Sequence, residues 1–143
     1  RVKAVGVFFP PTDLISFDKL LAAKQESDAE KEVKAKKDRR LILQALSLPR
    51  MPMPEMNLTE EKQLEYLTQV SPALLAKKGL PPVLIYHGDA DPLVPLSQSE
   101  QMVEALKKVE VPVELVVKKG GAHPWPTIAE EMAKLTDWFD TRL

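Results

Sequence analysis

Cysteine is absent from the 143 residues, which excludes disulfides and thiolate metal sites. Long apolar runs are absent as well. No stretch approaches the roughly 18 consecutive apolar residues of a membrane-spanning helix. Neither sign of charge dominates: 20 basic and 21 acidic residues leave a net charge of −1. Such a balance gives no electrostatic case for nucleic acid or an anionic membrane as partner. Histidine is scarce, with only His87 and His123. Apolar residues make up 44% of the chain, as in an ordinary soluble globular protein. A chain of this length can bury roughly 68–70% of its unfolded surface, enough for one domain spanning residues 1–143.

The most informative stretch runs from Pro82 to Pro95. Val83 to Tyr86 is an unbroken apolar run rich in β-formers, bounded by Pro-Pro and Gly-Asp. It reads as a strand buried on both faces. Gly88, Asp89, Asp91 and Pro92 then form a tight acidic turn. Ser97 and Glu100 have the spacing of a capping box that opens an amphipathic helix. A buried strand, an acidic loop and a helix make the strand-to-helix edge where α/β folds keep their chemistry.

His87-Gly88-Asp89-Ala90-Asp91-Pro92-Leu93-Val94-Pro95 closely resembles the acid loop of α/β-hydrolases, especially the esterase/lipase and prolyl-oligopeptidase-like branches. The resemblance implies that Asp91, two residues before Leu93-Val94-Pro95, is the acid of a catalytic triad. It implies that the base is His123, in the Gly-rich loop from Lys119 to Trp125. The family's order of Ser, acid, His leaves His87 with a structural role. Its ring nitrogens are then expected to be satisfied by nearby backbone. The resemblance extends over residues 1–143 but is specific only in these two loops. Asp89 competes for the acid position, although an Asp after a turn Gly commonly bonds its own backbone. Asp89 with Asp91 could be read as a carboxylate pair for a divalent cation, but Pro92, Leu93 and Val94 supply no further ligands. No metal and no cofactor are expected.

Along the chain, Val2 to Phe9 reads as a first strand, with Gly6 its weak point. Pro10 and Pro11 end it, and Thr12 or Asp13 can cap the next helix, with a pocket role for Asp13 as the alternative. Residues 17–48 read as a long helical stretch, mostly charged from Lys24 to Arg40. Its mixed-sign pattern suits a solvated face, with a lid or docking helix as the functional alternative. Residues 14–80 would form a helical, cap-like insertion. Pro49, Pro52 and Pro54 forbid a helix in the connector that carries Met51, Met53 and Met56. These methionines either pin the loop to the core or line an acyl pocket. Asn57 with Glu60 suggests another cap, before a helix that breaks at Ser71-Pro72.

Beyond the acid loop, Met102, Val103, Leu106 and Val109 share one helical face. Val111 to Lys118 reads as a third strand. Thr127 and Glu130 form a further capping box, opening a last helix with Ile128, Met132, Leu135 and Phe139 on one face. Trp125 is either a packed residue or the wall of a substrate pocket. This order of elements, joined by right-handed crossovers, gives the fold class: α/β, three-layer, a partial doubly wound parallel sheet. By resemblance it is the back half of an α/β-hydrolase fold.

The nucleophile is missing from this pattern. Ser16, Ser27, Ser47, Ser71, Ser97 and Ser99 all lie outside any Gly-x-Ser-x-Gly elbow. The chain also runs from Arg1 almost directly into a strand. The expectation is therefore a C-terminal piece of a serine hydrolase acting on small-molecule carboxylic esters, with peptides or amides as alternative substrates. The serine would lie upstream of residue 1, and the isolated chain would be inactive. The other expectation is a non-catalytic α/β module. In either case the free edge of strand 2–9 invites a partner, a homodimer or a missing N-terminal segment.

Overall fold

The computed structural model describes residues 2–25 and 59–142. It divides into two compact units, Leu14–Val70 and a second made of Arg1–Asp13 with Ser71–Leu143. The charged stretch beyond Gln25, the methionine connector and Asn57 lie outside the described residues.

The second unit is built on three parallel strands in the order β1 (Val5–Phe8), β2 (Val83–Gly88), β3 (Val113–Lys118). All six residues of β2 are buried, as an apolar run between two neighbouring strands requires. Both pairings are in continuous register: Val5 lies opposite Val83, and Val83 opposite Val113. The buried strand therefore extends further than its β-formers suggest, through His87 and Gly88. At the outer strands the chain is less regular than expected. β1 starts at Val5 and β3 at Val113, because only the segments opposite β2 find ladder partners.

Two apolar layers cover the sheet. On one face Val83, Ile85, Leu106 and Val111 are buried, joined by Val5, Val7, Met102, Val103 and Val109. The expected face of helix α3 (Ser97–Lys108) is therefore the packed one. On the other face Leu84, Tyr86 and Trp125 are buried, with Phe8, Phe9, Ile128, Leu135 and Trp138 against them. Burying a side chain such as Leu84 or Ile85 stabilises the fold by roughly 1.5–3 kcal/mol. Gly6 lets helix α4 (Ile128–Asp140) lie close: a Cβ there would run into the Leu135 side chain.

Three local expectations are corrected. Ser97 is not a cap. Leu96 is already helical in φ and ψ, so Ser97 falls inside the first turn and no side-chain cap bond forms. Thr127 stands at the N-cap of α4 but likewise makes no cap hydrogen bond. On α4, Met132 is 56% exposed and the buried position is Glu131. Its carboxylate accepts hydrogen bonds from Trp125 Nε1 at 2.9 Å and Lys118 Nζ at 3.0 Å. That pairing makes a buried carboxylate tolerable.

In the Leu14–Val70 unit, helices α1 (Leu14–Gln25) and α2 (Glu60–Gln69) contact each other. Helix α1 begins three residues before the expected start at Phe17. The cap of α2 is Thr59, whose hydroxyl accepts from the Lys62 amide. Among the described residues no helix is long and apolar enough to cross a membrane.

Candidate active site

Register positions the site. Gly88 at the end of β2 lies opposite Lys118 at the end of β3, so the loops after these strands leave the sheet side by side. Three hydrogen bonds then join them. The Asp89 amide donates to Lys118 O at 3.1 Å, and the Ala90 amide to Gly121 O at 3.0 Å. The Gly120 amide donates to Asp89 Oδ1 at 2.6 Å. Gly88 and Gly121 touch backbone to backbone, and a Cβ on Gly88 would collide with the Gly121 carbonyl.

Asp91 and His123, 32 positions apart in sequence, meet across this junction. His123 Nδ1 lies 2.7 Å from Asp91 Oδ2. A carboxylate can only accept, so Nδ1 carries the proton and Nε2 of the neutral ring is the basic nitrogen. The other oxygen, Asp91 Oδ1, accepts from the amides of Leu93 (2.8 Å) and Val94 (2.9 Å). The Asp91 carboxylate is fully enclosed, whereas the His123 side chain is 24% exposed. A buried acid thus holds a ring that remains reachable. Its Nε2 has no hydrogen-bond partner among the described residues.

Asp89, the competing acid, binds the Gly120 amide across the loops, not the turn backbone around it. Asp91 is bonded at both carboxylate oxygens and Asp89 at Oδ1. Among the described residues no group of three or more His, Cys, Asp or Glu is arranged to hold a metal.

His87 is fully buried at the end of β2. Its Nε2 lies 2.8 Å from Val94 O, an acceptor, so Nε2–H donates and Nδ1 accepts from the Ser99 hydroxyl at 2.6 Å. One ring nitrogen is thus satisfied by backbone, as expected, and the other by a side chain. Burial pushes this imidazole below its ordinary value, against the opposing pull of the Val94 carbonyl and the Asp91 carboxylate. His87 Nε2 is also 3.6 Å from Asp91 Oδ2.

Trp125 is packed, at 3% exposure, with Glu131 bonded to its indole. The Trp125 and Lys118 hydrogen bonds hold the Glu131 carboxyl below its ordinary value, against the effect of burial. Asp13 sits directly before α1, and its amide, like that of Thr12, donates to Gln98 Oε1. Gln98 and Phe9 are the site neighbours that sequence patterning missed. The Phe9 ring lies 4.0 Å from that of His123, centroid to centroid.

Among the described residues no serine hydroxyl bonds His123, and that of Ser99 is committed to His87. The arrangement can bind a proton at Nε2 and stabilise the resulting imidazolium through Asp91. These are the acid and base parts of nucleophilic acyl transfer.

The parallel sheet, its two covering layers and the two loops at its C-terminal edge define the back half of an α/β-hydrolase fold. A model of the prolyl oligopeptidase family matches residues 44–143, and the chain belongs to that family. A puromycin-hydrolyzing peptidase of Mycobacterium tuberculosis superposes with a TM-score of 0.55 at 24% identity. The match covers 86% of this chain and 15% of that one, and the likeness is one of fold. A truncated carbohydrate esterase from gut microbiota superposes with a TM-score of 0.52 at 27% identity, covering 56% of this chain and 28% of the esterase. The non-reducing polyketide synthase pkbA of Emericella nidulans is 35% identical over 65 residues, 44% of this chain and 3% of the synthase. The chain thus spans only a small part of the length of each of these relatives.

Proposed function

We propose that residues 1–143 are the C-terminal part of a serine hydrolase that cleaves carboxylic esters. Asp91 is the acid and His123 the base, and the nucleophilic serine comes from polypeptide outside these residues. The observation that carries this reading is the 2.7 Å bond from His123 Nδ1 to the enclosed Asp91 carboxylate, which leaves Nε2 reachable. Asp91 fixes the tautomer and stabilises the imidazolium. His123 takes the serine proton and returns it to the leaving group. The carbohydrate esterase among the similar structures favours an ester as substrate. The family's own name favours the second reading, a peptide or amide bond.

The test is made on the longer polypeptide that carries these residues. An active-site fluorophosphonate is expected to label one serine outside residues 1–143, and p-nitrophenyl esters should be turned over faster than peptide anilides. Asp91→Asn should lower kcat by about 10⁴ and His123→Ala by about 10⁶, the losses typical of a disabled triad acid and base. Turnover by residues 1–143 alone, abolished in His123→Ala, would overturn the external serine. Faster cleavage of the anilides would select the peptidase reading.

A further inference from the structure

β1 alternates as a strand should, until its end. Val5 and Val7 pack into the layer with Leu106, and Phe8 into the layer with Trp125. Alternation would return Phe9 to the Val7 side. Instead Phe9 packs with Phe8, on the Trp125 side. The cause is its backbone, which takes φ = +38°, a left-handed conformation unfavourable for an aromatic residue.

The surroundings hold that conformation from both sides. The Phe9 amide still completes the ladder to Tyr86 O at 2.7 Å. Downstream, the Thr12 and Asp13 amides are clamped on Gln98 Oε1 at 3.0 and 2.9 Å, and the Thr12 hydroxyl bonds Gln98 O. Strain of this kind persists where the structure over-determines it, and it clusters at functional positions. Here its product is a ring whose centroid lies 4.0 Å from that of the His123 imidazole, at 55°, and 6.1 Å from that of Trp125, at 82°.

We infer that Phe9 is the positioning residue of the base: its ring backs the His123 imidazole and keeps Nδ1 on Asp91 and Nε2 toward the open side. Asp91 fixes one atom of that ring, and a single hydrogen bond leaves the ring plane free to rock about it. The Phe9 face restricts that rocking and keeps water from the Nδ1–Oδ2 bond on that side. The inference rests on His123 being the base, as proposed above.

The test is spectroscopic and uses the 143-residue chain labelled with ¹⁵N-histidine. Wild type should show a slowly exchanging downfield Nδ1–H resonance and the shifts of a single Nδ1–H tautomer for His123. In Phe9→Leu, which keeps an apolar side chain, that resonance should broaden or vanish, the ring-current shift of the His123 carbon-bound protons should be lost, and mixed tautomers should appear. Phe9→Tyr should restore all three. The His87 signals and the Trp125 indole resonance report that each variant is folded. A folded Phe9→Leu with an unchanged Nδ1–H resonance and tautomer would overturn the inference. If Phe9→Leu does not fold, Phe9→Tyr decides alone: wild-type His123 signals support a ring-backing role, and a lost Nδ1–H resonance in a folded Tyr variant overturns it. Failure of the catalytic reading would appear elsewhere, as unchanged turnover in His123→Ala, and leaves these spectra as they are.

Discussion

Asp91 divides its two oxygens between different tasks. Oδ1 closes its own turn through Leu93 and Val94, and Oδ2 holds His123. The turn is held again from beneath, where His87 donates to the Val94 carbonyl. The other ring nitrogen, Nδ1, is bare in the neutral imidazole and accepts from the Ser99 hydroxyl, a bond that protonation would remove. Its pH consequence has a definite sign. Burial lowers the folded value of His87 below 6.5, so between that lowered value and 6.5 the unfolded chain binds a proton that the folded chain does not. Stability then rises with pH through this window and falls on acidification below about 6.5. Asp91, His123 and Glu100 are the charged or titratable groups acting on His87, and burial outweighs them. Urea unfolding from about pH 7.5 to about 5.5, which brackets the ordinary histidine range, should show the decline. His87→Gln should be less stable throughout but show a flatter profile, and an equal slope would refute the assignment to His87. Glu131 acts lower on the scale. Its folded value lies below 4.5, so its contribution is present above that pH and is lost as pH falls through the lowered value.

At the scale of elements, the pair of loops behaves as one piece. Three inter-loop hydrogen bonds and the Gly88–Gly121 contact fix the acid loop on the base loop before Asp91 and His123 touch. Gly88→Ala should therefore act on both stability and the site. The new Cβ meets backbone, which cannot rotate away, and overpacking of this kind costs about 1–3 kcal/mol. A lowered Tm with loss of the His123 Nδ1–H resonance is expected. A lowered Tm with that resonance intact would mean that the Asp91–His123 bond survives separation of the loops. Much of this scale was legible in the sequence. The apolar run of β2 has one reading, and so does the Leu106 face of α3, because both patterns are set by burial alone. The caps were misread because a helix start depends on where the preceding backbone enters, and Leu96 enters already helical. Glu131 was missed because a charge on an amphipathic helix looks solvated until Trp125 and Lys118 arrive from elsewhere in the chain. Phe9 was missed for a related reason: period-two alternation assigns it to the wrong face, and only its left-handed φ moves it beside His123.

At the scale of the whole molecule, the sheet is asymmetric. β2 is paired on both sides, but β1 pairs only with β2 among the described residues. The amides of Val5 and Phe9 point to β2, bonding Pro82 O and Tyr86 O. By the two-residue period of a strand, those of Gly6 and Phe8 point to the opposite edge. An edge of this kind, flanked by apolar residues on both faces, is a template for another strand. We propose that a strand covers it, either from a second copy of this chain or from a companion segment of the same protein. The two occupants separate experimentally. If a second copy covers the edge, sedimentation velocity of residues 1–143 should show a concentration-dependent dimer, and the Gly6 and Phe8 amides should become protected from hydrogen exchange as the dimer forms. If a companion segment covers it, residues 1–143 should remain monomeric with rapid exchange at these two amides. Protection should then appear only in the longer polypeptide. A monomer that exchanges rapidly at Gly6 and Phe8 in both polypeptides would leave the edge bare and refute both forms of the proposal.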